Sequence, residues 1–558
     1  MKKINRLTLV LTFMAAGLFA GCASDEEATR ENQKIALDGS HFKFTEVAYQ
    51  ADQAVTRAAA SVKPTTVDLG DGLEAEVSVT PDAPTGKTRA VDPISDGKYT
   101  ILAFDPTTHD LQGKLEGSVT GGVFTPDAGQ KLLLDPGTYD FTCFSEAVVY
   151  DEPNNRLVVN NWQTKSPTIG HTQETIAGDD YEVAFNMEHK SARVRLNITS
   201  NILSENTPID AYLQGTTFLT GYWVQDWYTA YSGALNNTGN FWYNTPQPLT
   251  FTNIAPVTTQ TGTTCTSAYG YMLPSTAPNN SLRDYTLHFT AGTIGGGSLA
   301  SKAINLSGAT FPTGFQWDYN QSITINVNVK GQLYLFEDGK ARVYAGRGTH
   351  TPIGLVIQQK WEPTNQKGMA CALDILNYTW KNVDDHIEEN VHPSPTNMVE
   401  TAADMNGENW TYNANLQGIV RSNQATTYPA FYQAAHYTPG VPTASNIGRW
   451  YLPSYGELIQ FVHVFDKSFT LTTTEPVGPH YTQISTEFGG KVKSAFTQVG
   501  KPEPNQRFII SSTQIDTGGS LGYRPAYINM GGEGSPHLST GFCWNTMTNS
   551  YIMPFVHF

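Results

Sequence analysis

Charge is scarce in this 558-residue chain: 15% of its residues are Asp, Glu, Lys or Arg, and 51 acidic residues against 35 basic ones leave a formal net charge of -16. No run of Lys or Arg interrupts that balance, which excludes the electrostatic footprint by which proteins grip nucleic acid or an anionic membrane surface. Long apolar runs are missing too. Beyond the first 21 residues none approaches the roughly 20 residues that a membrane-crossing helix needs. Cysteine is rare, five in all, and no two stand at a C-x-x-C or Cys/His spacing, so a zinc module is excluded. There is no G-x-S-x-G elbow, no H-E-x-x-H and no Walker loop. The glycine clusters Gly295-Gly296-Gly297 and Gly531-Gly532-Glu533-Gly534 follow no strand of a βαβ unit and read as turns. No catalytic residue, metal ligand or cofactor site emerges. What is abundant is Tyr, Gly and Pro, at 27, 49 and 31 residues, a composition suited to β architecture with many turns. The length calls for two to four domains.

The N-terminus carries the most specific signal. Lys2, Lys3 and Arg6 precede an apolar run from Leu7 to Ala20, the layout of a secretory signal peptide. The run closes on Leu18-Phe19-Ala20-Gly21-Cys22, and small residues before a cysteine are what the narrow site of a lipoprotein signal peptidase admits. Cys22 is then the lipid-modified N-terminus, and its lipid the chain's sole membrane contact. Phe19 stands where Leu is usual. Ser24-Asp25-Glu26-Glu27 resembles the export signal of surface lipoproteins in one group of Gram-negative bacteria; a solvated acidic tether is the other reading. The exported compartment is oxidising, so Cys371 and Cys543, which fall in one expected domain, are candidates for a disulfide, with buried free thiols the alternative for Cys143, Cys265, Cys371 and Cys543.

Between two Thr-Arg-Ala sites, at Arg57 and Arg89, Leu73, Ala75, Val77 and Val79 alternate with Glu74, Glu76 and Ser78. That period of two predicts a strand with one face on a core. Pro81, Pro84 and Gly86 end it and leave Arg89 in a loop. Short turn-bounded strands follow, at Tyr99–Phe104, Lys131–Leu134, Gly137–Cys143, Tyr181–Phe185 and Ser191–Ile198, where Ala192, Val194, Leu196 and Ile198 face inward and Arg193 and Arg195 outward. The aromatics Tyr222, Trp223, Trp227, Tyr228, Tyr231, Phe241, Trp242 and Tyr243 read as core and β-surface, or else as a sugar-stacking platform. From residue 331 the texture becomes loop-rich, the cluster Asp384 to His392 reads as a solvated acidic loop, and Ser454 with Glu457 forms a capping box at a helix start.

The order of these features resembles the fimbrillin family: a lipobox, a strand at Gly72–Val79, a Thr-Arg-Ala site, then Gly97–Asp105 and Met187–Leu196. The resemblance covers roughly residues 22 to 330. It implies a mainly β chain with two tandem pilin-type β-sandwiches, reaching the outer membrane as a lipoprotein and cut after an arginine by a surface arginine-specific protease. Loss of the first strand would open a groove that another pilin subunit fills by strand donation. Arg89 is the residue carried over, with Arg57 the fallback, and Leu73, Ala75, Val77 and Val79 make up the removable strand. The last part, with Trp450-Tyr-Leu-Pro-Ser-Tyr-Gly-Glu-Leu458, Ser511-Ser512-Thr513 and Tyr551–Phe558, resembles the C-type-lectin-like and sulfatase-modifying-factor-like folds. Ile509-Ile510 and Met553 depart from that pattern, and no reactive cysteine pair accompanies it. The expected organisation is a signal peptide at 1–21, a tether and removable strand at 22–89, a first sandwich at 90–200, a second at 201–330 and an α+β lectin-like domain at 331–558. The function implied is a non-enzymatic pilus subunit at the fimbrium tip, binding a host or bacterial surface glycan or protein; the alternative is a permanently lipid-anchored binding lipoprotein. Replacing Cys22 by Ala is expected to abolish incorporation of labelled palmitate and to leave the chain outside the outer-membrane fraction.

Overall fold

The computed structural model describes residues 34–49, 64–82, 94–160, 164–177, 181–203, 205–215, 222–242, 248–274, 282–312, 315, 318–390, 397–471, 480–483, 487–503, 508–518, 520, 522–530 and 537–558. Cys22, Arg57 and Arg89 lie outside them. The chain is mainly β: among the described residues the strands gather into seven sheets and the α-helices all lie beyond residue 397.

Four strands precede the Arg89 segment: β1 (Ile35–Leu37), β2 (Phe42–Glu46), β3 (Thr65–Gly70) and β4 (Leu73–Pro81). They divide between two sandwiches. β2 forms one edge of a seven-stranded sheet, parallel to Val183–His189, and the sheet continues through Thr168–Ile176, Gly137–Ser145 and Gly97–Phe104. β1 pairs with Leu132–Leu134, so that Leu37 and Phe42 join Ile101, Leu115, Phe141 and Phe185 in the first core. β3 and β4 belong to the second sandwich. There β4 lies between β3 and the Ser322–Gly331 strand, which is paired in turn with Ala192–Ser200.

The described parts of the segment expected as a tether and removable strand at 22–89, residues 34–49 and 64–82, are therefore built into both cores. The Ala192–Ser200 strand, expected to close the first sandwich, is a central strand of the second, because its inward residues Val194, Leu196 and Ile198 pack with β4 rather than with the first core. The aromatic stretch moves the other way. Tyr222–Thr229 and Leu235–Trp242 form a hairpin that pairs with Arg156–Asn160 and carries Tyr228 into a cluster with Phe104, Phe144 and Leu157, on the far face of the first sandwich's sheet.

β4 is held by local rules as well as by its neighbours. Asp71 and Gly72 both have positive φ, 59° and 79°, and connect Gly70 to its partner Leu73, which is the two-residue turn whose twist matches a β-hairpin. Leu73, Ala75, Val77 and Val79 are each 1% exposed or less, while Glu74 faces solvent. Burial of each of Leu73, Val77 and Val79 contributes about 1.5–3 kcal/mol.

The second core does not stop at residue 330. Leu333, Leu335, Val343, Ile353, Val356, Ala370, Val556 and Phe558 belong to it, so one face of the first C-terminal sheet (341–343, 333–336, 352–358, 369–372 and 555–557) completes the second sandwich's interior. Its other face, with Tyr334, Leu355, Met369 and Cys371, packs under the helices Tyr455–Phe465 and Phe488–Gln498. Cys371 and Cys543 are unpaired and lie in different clusters, as buried free thiols beside the equally unpaired Cys143 and Cys265. Burial pushes the Cys543 thiol up to about 12 and Cys265 up to about 11, so none of this supplies the low-pKa thiolate that cysteine chemistry needs. Leu73→Ala is expected to destabilise the full chain by about 2–5 kcal/mol in denaturant unfolding, since Leu73 sits where β4 meets both the second sandwich and Val343.

Candidate strand-exchange site

The four residues read from sequence as a removable strand form one continuous inward face, and every residue from Leu73 to Pro81 has a partner on Ser322–Gly331, from Leu73 opposite Gly331 to Pro81 opposite Ile323. On its other side β4 pairs with β3, whose outer edge closes the sheet. Removing β3 and β4 together would strip the Ser322–Gly331 strand of its neighbour and open a slot lined by Val194, Leu196, Ile325, Val327 and Val329. An edge of unpaired N–H and C=O groups beside an apolar slot is a template for a new strand.

A polar latch fixes the end of β4. The Asp82 amide donates to the Ser322 carbonyl at 2.9 Å. Its carboxylate accepts from Ser322 Oγ at 2.5 Å, from Tyr269 Oη at 2.6 Å, from Arg195 Nη2 at 3.1 Å and from Thr324 Oγ1. Burial alone would raise the Asp82 pKa, but the hydroxyl hydrogen bonds and the Arg195 charge outweigh it and hold the carboxyl below its ordinary 3.8. Arg193 and Arg195, read as outward, stand on the outer face of this sheet and carry the latch. Arg195 Nε donates to Thr324 Oγ1 at 2.9 Å and Arg193 Nε to Ser322 Oγ at 2.6 Å, so the two guanidiniums orient the hydroxyls that face Asp82.

The same seam holds the end of the β2 segment. The Arg193 guanidinium lies 4.2 Å from the rings of both Tyr49 and Tyr269, and Tyr49 stacks on His189 with centroids 3.7 Å apart. Burial, reinforced by the Arg193 charge, pushes His189 down to about 3, so the imidazole is neutral. Its Nδ1 shares a hydrogen bond with Ser166 Oγ at 2.7 Å and its Nε2 lies 3.2 Å from the Glu46 carboxylate, to which Ser95 N–H donates at 2.8 Å. Tyr49 and Asp82 are the last described residues before the segments that carry Arg57 and Arg89. Arg193 and Tyr269 link the two: the Arg193 guanidinium lies on the rings of Tyr49 and Tyr269, and the Tyr269 hydroxyl donates to Asp82.

Other sequence candidates have structural employment. Asp384 to Asn390 is solvated only in part: Asp384 and Ile387 are exposed, but Glu389 is 1% exposed and accepts from Lys381 at 2.5 Å, Tyr428 at 3.0 Å and Arg421 at 3.3 Å, while Asp385 pairs with Lys381 and Asp384 with Arg524. Three buried cations, Lys381, Arg421 and Arg524, draw the carboxylates inward. Trp227 lies under the Arg156 guanidinium at 4.4 Å and Tyr231 stacks on His109 at 3.8 Å, so both serve packing, and Tyr243 lies outside the described residues. Ser454 and Glu457 form the expected capping box at the head of Tyr455–Phe465, and burial raises Glu457 to about 7.

No family model and no curated protein matches this chain. Among solved structures, a protein of Bacteroides fragilis NCTC 9343 provisionally assigned to cell adhesion is 13% identical over 52% of this chain and 93% of its own, with a TM-score of 0.32. A similarly assigned protein of Bacteroides uniformis ATCC 8492 is 16% identical over 45% and 92%, with a TM-score of 0.27. The fimbrial anchor protein Mfa2 of Porphyromonas gingivalis is 12% identical over 38% and 75%, with a TM-score of 0.19.

Sequence reading missed β1, β2 and β3 and the latch. Phe42, Phe44 and Glu46 alternate with Lys43 and Thr45, and Asp71-Gly72 is a strong hairpin signal; together they would have found β2 and β3. Nothing local marks Asp82, whose partners come from residues 195, 269, 322 and 324. Because its pKa is lowered by folding, Asp82 adds stability that is full above the unfolded aspartate value and is lost as pH falls through the lower folded one. Asp82→Asn is expected to cost about 1.5–3 kcal/mol at pH 7. Thermal unfolding of both proteins across pH should show the gap closing in strong acid.

Proposed function

We propose that this chain is a subunit of a cell-surface fimbrium that accepts a strand from a neighbouring pilin after a surface arginine-specific protease cuts it at Arg89, with Arg57 the alternative cut. The observation that carries this reading is the position of β4: supplied from the N-terminal side of Arg89, it nevertheless lies within the second sandwich's sheet, between β3 and Ser322–Gly331. A strand connected to the rest of its domain only through a segment bearing Thr88-Arg89-Ala90 is one that a single cut makes exchangeable. The slot it leaves offers both components of strand addition, backbone groups and alternate apolar pockets. Cutting after Arg57 would free β1 and β2 alone, and cutting after Arg89 would free all four strands from the body.

The C-terminal part supports a place at the fimbrium tip. Phe555–His557 is paired with Met369–Ala372 and built into the shared core, so it is not free to be donated. The lectin-like part then serves adhesion, and an open cavity of about 480 Å³ lined by Tyr412, Ser422, Asn423, His436, Arg449 and Trp450 is the place for a surface glycan or a protein segment. Cys22 carries the lipid that brings the precursor to the outer membrane, and cleavage at Arg89 leaves that lipid with the discarded segment. A second reading, a lipoprotein that stays anchored through Cys22 and binds glycan or protein without polymerising, is favoured by how completely β1 to β4 are built into both cores. The two differ at the mature N-terminus. Intact-mass analysis of protein from the cell surface is expected to find a chain beginning at Ala90, and Arg89→Ala is expected to prevent incorporation into fimbriae. A surface chain still beginning at Cys22 supports anchoring, and normal incorporation of Arg89→Ala removes Arg89 from the mechanism.

A further inference from the structure

Alternating apolar residues do not fix the register of a replacing strand. A slip of two residues returns the same face to the core, so Leu73, Ala75, Val77 and Val79 specify which side faces inward and leave the position along the slot open. Something must mark one position uniquely. In the uncut chain that mark is Asp82, the residue on which Ser322, Thr324, Tyr269 and Arg195 converge.

The polar groups of the seam depend on that mark. Among the described residues Asp82 is the carboxylate that ion-pairs with Arg195, and Arg193 forms no ion pair, its guanidinium being held instead by Ser322 Oγ and by the rings of Tyr49 and Tyr269. Ser322 and Thr324 are 3% and 6% exposed. Once the segment carrying Asp82 departs, the Ser322, Thr324 and Tyr269 hydroxyls and the Arg195 guanidinium face an empty position. Buried donors left without an acceptor are costly, and the loss of Arg195's counter-charge adds a smaller cost, its side chain being 35% exposed. Fresh solvation relieves this only if no strand covers the site, which a donor strand would do.

We propose that this seam selects the incoming strand by a carboxylate: the partner carries four alternating apolar residues followed, three positions after the last of them, by Asp or Glu. The spacing is that of Leu73, Ala75, Val77, Val79 and Asp82 in the resident strand. The proposal rests on the strand-replacement reading above and adds to it the chemical identity and register of the partner. A strand that matches the apolar pattern but has an amide or an aliphatic residue at the marked position would enter the slot and leave the seam unpaired. It would bind weakly or slip.

The test uses the full chain after limited cleavage with an arginine-specific endoproteinase, and fluorescein-labelled peptides spanning Gly72 to Ala83 that compete for the slot. The unaltered peptide is expected to bind. The Asp82→Asn peptide should bind at least tenfold more weakly. The Glu74→Gln peptide, which loses the same charge at a solvent-facing position, should bind as well as the unaltered one. Arg195→Met in the protein should reduce binding of the unaltered peptide toward that of the Asp82→Asn peptide. Equal binding by the Asp82→Asn and unaltered peptides overturns the carboxylate mark and leaves strand replacement standing. Equal losses for Glu74→Gln and Asp82→Asn also overturn it, as an effect of net charge. If the unaltered peptide fails to bind a cut chain that keeps its near-ultraviolet circular dichroism, strand replacement itself fails, and the mark with it.

Discussion

The antiparallel pairing of Leu73–Pro81 with Ser322–Gly331 is the constraint on which the second sandwich depends. It joins residues about 250 positions apart, and it makes the β3–β4 hairpin the last two strands of a sheet whose other strands come from residues 192 to 331. A non-local pairing of this kind forms late, because loop closure must be met before the contacts repay it. The same property makes the strand separable. Its covalent link to the sandwich runs through one segment, whereas its hold on the sandwich is made of backbone hydrogen bonds, four inward side chains and the Asp82 latch.

That arrangement extends into the C-terminal part. The sheet beginning at Leu333 is continuous in sequence with Ser322–Gly331, and its apolar face finishes the second core. Leu73 lies at that junction, and the neighbouring Gly72 backbone stands so close to the Gln498 side chain of the Phe488–Gln498 helix that a Cβ there would collide with it. Whatever occupies the β4 position therefore touches both the joining body and the part that carries the open cavity. Occupancy of the slot and the stability of the C-terminal body share one hydrophobic cluster, and replacing one strand by another is felt in both.

Much of this was legible from the residues. The period-two pattern at 73–79 and 192–198, the turn-bounded strands of the first sandwich and the capping box at Ser454 each depend on near neighbours, and each is where expected. The partition into bodies was not legible, because strand partners are chosen by tertiary packing: Ala192–Ser200 and the Tyr222–Trp242 hairpin each crossed the expected boundary at residue 200. The acidic run at 384–390 misled for a related reason. Its neutralising cations, Lys381, Arg421 and Arg524, are spread over more than 140 positions, and local composition does not report them. The latch at Asp82 escaped in the same way, since each of its side-chain partners is more than 100 residues away.

The central claim is that β4 is an exchangeable part of the second sandwich. Hydrogen–deuterium exchange of Ser322–Gly331 tests it most directly, because the amides of that strand facing β4 have no other backbone partner, while those facing Ala192–Ser200 keep theirs. In the uncut chain both sets are expected to be slow. After cleavage at Arg89 and removal of the segment, the set facing β4 should become fast, and adding a donor strand should slow it again. Unchanged protection after the segment has left, or loss of protection in both sets together, would contradict the account.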